Sequence, residues 1–119
     1  MLPYECLRDK LRSRSERYQF LDAVQLVKHA FGLVTEARRK AKKPYLVYLF
    51  AEPKERAGKV IDEKRKQSHR DEIACFADAT KGAEVQFGAI SYREWLESWS
   101  DSDSRIACHR RAVLERFQP

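Results

Sequence analysis

Lys28 and His29 follow Gln25 by three and four residues, so on a helix all three side chains share one face. Such a set can meet a phosphate through lysine, a base or water through glutamine, and a proton or a metal through histidine. The same spacing describes a solvated helix shoulder, and spacing alone leaves both readings open. Glu52-Pro53-Lys54 offers a different chemistry at the end of an apolar run. A Glu-x-Lys can hold magnesium through its carboxylate while lysine steadies charge developing on a phosphate. Pro53, however, has no ladder donor and is expected to end the strand, so Glu52 and Lys54 need not share a pleated face. The plainer expectation is a strand-terminating loop.

Cysteine and histidine carry less. Cys108 and His109 are adjacent but have no CxxC or HxxxH companion, and His29 and His69 stand alone, so no zinc spacing exists. Cys6, Cys75 and Cys108 are expected to be buried thiols that act as small apolar groups. The chain has no GxGxxG, GxxxxGK[ST] or GxSxG, so readings as a nucleotide-binding loop or a hydrolase elbow lack their anchors.

The cations fall in three groups: Arg8 to Arg17, then Arg38, Arg39, Lys40, Lys42 and Lys43, then Lys54 to Arg70. If folding joins two of them, they form a phosphate-tracking surface whose affinity falls with salt as counterions are released. Local pairing with Asp9, Glu16, Glu55, Asp62 and Glu63 would instead leave an ordinary solvated face. The excess of 24 Lys and Arg over 18 Asp and Glu, a net charge of +6, makes nucleic acid the leading partner class. Tyr18, Tyr92 and the two tryptophans serve equally well as core or as stacking platforms.

These side chains need a scaffold, and 119 residues suffice for one domain with a modest core. The chain is 43% hydrophobic and 35% charged, with only four glycines and four prolines, which suits a packed fold better than a disordered one. An odd cysteine count argues for a reducing setting. The first ten residues hold acids and no long apolar run, so no signal peptide or membrane span is expected and the location is read as cytoplasmic.

Ser13-Arg14-Ser15-Glu16 has the form of a capping box and predicts a helix start. The helix that follows is expected to bury Phe20, Val24, Val27, Phe31 and Val34, which recur at helical spacing. Tyr45 to Ala51 reads as a strand covered on both faces. A helix is expected from about Ser68, with His69, Ile73, Phe76 and Ala77 on one face, ending before Lys81-Gly82. Ala83 to Ile90 alternates as a second strand. Ser91-Tyr92-Arg93-Glu94 is another capping box, flanked by Ile90 and Trp95 as a hydrophobic staple. A last helix would use Ile106, Val113, Leu114 and Phe117. The polar stretches Arg8 to Arg17 and Lys54 to Gln67 read as solvated connections. Strands separated by a helix imply a right-handed parallel crossover, hence an α/β chain with a small, mostly parallel sheet flanked by helices.

The segments Tyr18 to Leu33, Lys43 to Pro53, His69 to Ile73 and Ser91 to Trp95, in that order, resemble the C-terminal half of bacterial restriction-endonuclease-like proteins of the PD-(D/E)xK nuclease superfamily. The resemblance implies a restriction-endonuclease-like core in which an Asp and a Glu-x-Lys on neighbouring strands bind Mg2+ and activate water. Gln25 and Lys28 would then be the catalytic helix residues, and Lys28, His29, Arg38, Arg39, Lys40, Lys42 and Lys43 would contact DNA. It would also place the metal-binding hairpin upstream of residue 1. Nothing in Met1 to Tyr18 reads as a strand bearing those acids, so residues 1–119 are expected to be a single nuclease-like α/β domain, complete or truncated, that binds DNA without cutting it unaided. A second mapping makes Glu52 the metal ligand and the chain an Mg2+-dependent endonuclease. The alternative outside this family is an interaction module whose unfinished sheet is completed by a homodimer mate or a second polypeptide.

Overall fold

The computed structural model describes every residue from Met1 to Pro119. The first helix, α1 (Leu2–Arg12), occupies a stretch whose polar half reads in sequence as a connection. Pro3 suits its first turn, Glu5 lies near its N-terminus, and Lys10 and Arg12 lie in its last turn, where they complement the dipole. Tyr4 and Leu7 are its buried anchors, three residues apart. Ser13 and Glu16 are not a capping box. Ser13 closes α1, its backbone N–H donating to the Asp9 carbonyl and its hydroxyl to that of Lys10, and Arg14 turns left-handed at φ 58°. The Ser-x-x-Glu pattern sits at the C-terminal end of a helix instead of the N-terminal one, because a serine hydroxyl can serve either end.

The second helix, α2 (Ala23–Arg39), starts later than the serine predicts, at Asp22, whose carboxylate accepts from the Gln25 N–H at 3.1 Å. A carboxylate of another helix fixes the approach to this cap. Glu72 Oε1 accepts from the Gln19 N–H at 2.5 Å, and its Oε2 accepts from the N–H groups of Phe20 and Leu21 at 2.8 Å each. The buried face of α2 is Ala23, Leu26, Val27, Ala30, Val34 and Ala37. It is therefore rotated from the expected stripe: Val24 remains 48% exposed, and Phe31 is half-buried. Helix α1 packs on α2, and Val24 and Phe31 line an open groove between the two helices instead of the core.

Strand β1 (Tyr45–Phe50) and strand β4 (Gln86–Ser91) form a two-stranded parallel sheet, the α/β element anticipated from sequence. Gln86 N–H donates to the Pro44 carbonyl at 3.2 Å. β1 is not covered on both faces. Tyr45 and Val47 are each 60% exposed while Leu46 is buried. A continuous apolar run does not say which of its faces will find a cover, and in a sheet this small one set stays in water.

Between these strands, β2 (Glu55–Arg56) and β3 (Lys59–Val60) make a short antiparallel hairpin, with Glu55 opposite Val60 and Arg56 opposite Lys59. Ala57 and Gly58 at its tip both have positive φ, 54° and 77°, which is the two-residue turn that suits strand twist. Alanine is a poor residue for that conformation, so the hairpin is silent in sequence. Helix α3 (Glu63–Ala79) begins five residues before Ser68, with the Asp62 carboxylate accepting from the Lys64 N–H. It buries Ile73 and Phe76 as the periodicity predicts, and Gly82 follows at φ 78°. Helix α4 (Tyr92–Glu97) starts on the expected capping box: Ser91 Oγ accepts from the Glu94 N–H at 3.1 Å, and the Glu94 carboxylate reaches back to the Ser91 N–H. Helix α5 (Ser104–Phe117) ends the chain and buries none of its residues. Ile106 and Phe117 stay exposed, and Val113 and Leu114 are half-buried.

The chain forms two compact units, Met1–Val47 with Gln67–Gly88, and Tyr48–Lys66 with Ala89–Pro119. The hub of the first is Phe76, fully buried, with Tyr4, Tyr18 and Phe87 edge-on around it at ring-centroid distances of 6.2, 6.3 and 4.7 Å. Leu7, Leu21, Leu26, Ala30, Val34, Leu46, Ile73 and Val85 complete that core. In the second unit Phe50 and Leu96 are buried, and Trp99 is flanked by Trp95 and His109. Arg110 donates to the Trp99 carbonyl at 2.9 Å and pairs with Asp101, tying the end of α4 to α5. No helix is long and apolar enough to cross a membrane.

Candidate functional site

The helix-pair seam of the first unit opens into a groove of about 500 Å³ lined by Arg8, Leu11, Arg12, Val24, Val27, Lys28 and Phe31. Its construction follows from local rules. On α1, Arg8, Leu11 and Arg12 are spaced by three and four, so they face one way, on the side next to the buried Tyr4 and Leu7. On α2, Val24, Val27, Lys28 and Phe31 repeat the same spacing. Where the two helices meet, the groove is lined by apolar side chains from both and by three cations, whose aliphatic stems can also cover apolar surface.

Arg8 is the best fixed of the three cations. Its guanidinium carbon lies over the Phe31 ring, 5.5 Å from the centroid, and its Nε donates to Asp9 Oδ1 at 3.1 Å. Arg12 and Lys28 are exposed. Chemically the groove offers cations for phosphate or carboxylate together with aromatic and aliphatic surface.

The sequence-derived candidates distribute unevenly around this site. Gln25, Lys28 and His29 are all exposed on α2, and of the three Lys28 lines the groove. Arg38 and Arg39 end α2, Lys40 follows as its C-cap, and Lys42 and Lys43 are exposed beyond it. Much of that cluster is paired. Arg38 holds Glu84 through two hydrogen bonds at 3.0 and 2.6 Å, and Glu36 accepts from both Arg39 at 2.7 Å and Lys40 at 2.8 Å. The hydrogen bonds from Arg39 and Lys40 lower the Glu36 pKa below its usual range, and the Arg38 hydrogen bonds do the same for Glu84. Arg38 and Arg39 are correspondingly held more firmly protonated.

Glu52, Pro53 and Lys54 lie in the loop after β1, as the proline argument expects, with Glu52 half-buried. No group of three or more His, Cys, Asp or Glu side chains gathers in a way that could hold a metal ion. Cys6, Cys75 and Cys108 are exposed rather than buried, and Tyr18 donates its hydroxyl to Cys75 Sγ at 3.7 Å. Burial, with the Cys75 contact second, pushes the Tyr18 phenol well above its ordinary pKa.

Sequence reasoning named the Arg8 to Arg17 cations as one half of a composite surface but missed that Arg8 and Arg12 ride on a helix. The available signal was Pro3 near a helix start followed by Tyr4, Leu7 and Leu11 at spacings of three and four. Phe31 and Val24 were assigned to the core because periodicity identifies an apolar face without saying what covers its margin. No protein-family model, no curated protein and no solved structure gives a significant match to this chain.

Proposed function

We propose that this chain is a DNA-binding α/β module whose contact surface is the groove between α1 and α2. The observation that carries the reading is the convergence of Arg8, Arg12 and Lys28, from two helices, on one open concavity. The net charge of +6 adds a long-range attraction for a polyanion. In keeping with the nuclease-like resemblance, Gln25 and Lys28 sit on one helix face, yet no cluster of acids accompanies them. Magnesium favours several oxygen ligands, and neither the residues beside Gln25 and Lys28 nor Glu52 with Lys54 form part of a cluster of three or more acidic, histidine or cysteine side chains. In this reading the module binds DNA, and cleavage requires acidic ligands supplied by another segment or polypeptide.

The test is fluorescence anisotropy of a labelled DNA duplex with the purified chain across a salt series. Three neutralised phosphates give a log–log salt slope of about −2.7, a weakening of roughly 40-fold between about 50 and 200 mM salt. An Arg12→Ala/Lys28→Ala variant leaves one cation and a slope of about −0.9. No binding of either the duplex or a single strand at low salt, or a slope unmoved by the double substitution, refutes the assignment. Incubation with Mg2+ or Mn2+ is the second arm, and metal-dependent cleavage lost in Glu52→Ala would replace a binding module with an endonuclease.

A second reading has one specific observation behind it. Tyr45 and Val47, each 60% exposed on β1 of a two-stranded sheet, suit pairing with a second copy or another polypeptide. Sedimentation equilibrium decides it, since a concentration-independent monomer is incompatible with self-association there.

A further inference from the structure

We infer that the α1–α2 groove receives an unpaired nucleobase of single-stranded DNA, stacked on Phe31, with the adjoining phosphates on Arg12 and Lys28. This rests on the DNA-binding reading above and narrows it to one form of DNA. A duplex presents phosphates and sugar edges to a groove of this kind, with its base faces hidden in the stack. Three cations alone would serve it. The rest of the lining of this groove is Leu11, Val24, Val27 and Phe31, and Val24 remains 48% exposed. Apolar surface held open between cations has a use when the ligand brings a flat apolar face and a negative charge together, which an unstacked nucleotide does.

The size agrees. About 500 Å³ lies within the roughly 300–1,000 Å³ of sites that take small molecules or single residues of a polymer. The Phe31 ring is also reachable from the groove, because the planar guanidinium of Arg8 already lies over it at 5.5 Å. That distance leaves no room for a base between them. The base takes the ring face that Arg8 now covers, and Arg8, anchored on the same helix as Arg12, moves to the incoming phosphate. Although Arg8 is the best held of the three cations, both its contacts, a ring face and the neighbouring Asp9, lie where its side chain is 38% exposed, and a phosphate can replace them.

The experiment compares three labelled probes of equal length with the full chain: single-stranded oligothymidine, the same sugar-phosphate backbone with abasic positions, and a hairpin duplex. Oligothymidine is expected to bind at least roughly 5-fold more tightly than the abasic strand, the least that one stacked base contributes. Phe31→Leu, which keeps an apolar lining but removes the ring, is expected to erase that difference, and Phe31→Trp to keep it. The abasic comparison needs only the wild-type chain, so it stands even if a variant folds poorly. Equal affinity for oligothymidine and the abasic strand, or a duplex bound more tightly than either, overturns the base-stacking inference while DNA binding survives. If none of the three probes binds at low salt, the DNA-binding reading fails and this inference with it.

Discussion

Replacing Glu72 tests whether one carboxylate sets the position of α2 and so of the groove. Its Oε2 accepts from the Phe20 and Leu21 N–H groups at 2.8 Å each, in part-buried surroundings, and its Oε1 from the exposed Gln19 N–H at 2.5 Å. Hydrogen bonds to a charged group contribute about 1.5–3 kcal/mol each, but bonds that share one carboxylate do not add in full. In Glu72→Ala the Gln19 N–H returns to water, while the other two lose their acceptor in a partly dry setting. The expected loss is about 2–3 kcal/mol, or roughly 8–15 °C in melting temperature for a chain of this size. Glu72→Gln can keep its amide oxygen at the Oε2 position, while its NH2 cannot accept from the exposed Gln19 N–H, which turns to water, so it is expected to lose only about 1 kcal/mol. Urea and thermal denaturation measure both variants. Amide exchange at residues 19–21 should accelerate in the alanine variant before α2 itself opens. A Glu72→Ala protein within about 0.5 kcal/mol of wild type, or a glutamine variant as damaged as the alanine one, would refute the argument.

Three other expectations follow from local geometry. Ala57 at φ 54° occupies a conformation costly to any residue with a Cβ, so Ala57→Gly should stabilise the hairpin by up to about 1 kcal/mol, read as a higher urea midpoint. Phe76→Ala removes the fully buried ring against which Tyr4, Tyr18 and Phe87 pack; the expected cost of about 3–5 kcal/mol should leave the first unit largely unfolded, visible in near-ultraviolet circular dichroism. Glu84 has its pKa lowered by Arg38, so the pair contributes stability that is present above the ordinary glutamate pKa of 4.5 and is lost as pH falls through the lowered folded value. Arg38→Gln should therefore be less stable than wild type near neutrality and indistinguishable from it in strong acid, and a constant difference across the range would show that the pair is not its origin.

The amino-acid sequence on its own determined the local events that neighbouring residues can settle among themselves. Ser91 and Glu94 form their reciprocal cap because three residues of helix bring the partners together whatever else the chain does. The apolar face of α3 that carries Ile73 and Phe76, the left-handed Gly82 and the strand after Pro44 have similarly local reasons. Lys28 could be picked out as a surface cation, and the Arg8 to Arg17 group as its prospective companion. Tertiary structure alone decided which cations meet and which apolar side chains line the groove with them. The packing of α1 on α2 brings Arg8 and Arg12 to Lys28, turns Val24 and Phe31 from core into groove, and leaves Gln25 and His29 outside it. It also assigns Arg38 to Glu84, 46 residues away, and Glu72 to three amides more than 50 residues upstream. Periodicity records that a side chain is apolar and which way it points along its own helix; whether a neighbour arrives to cover it depends on contacts between segments that are distant in the chain.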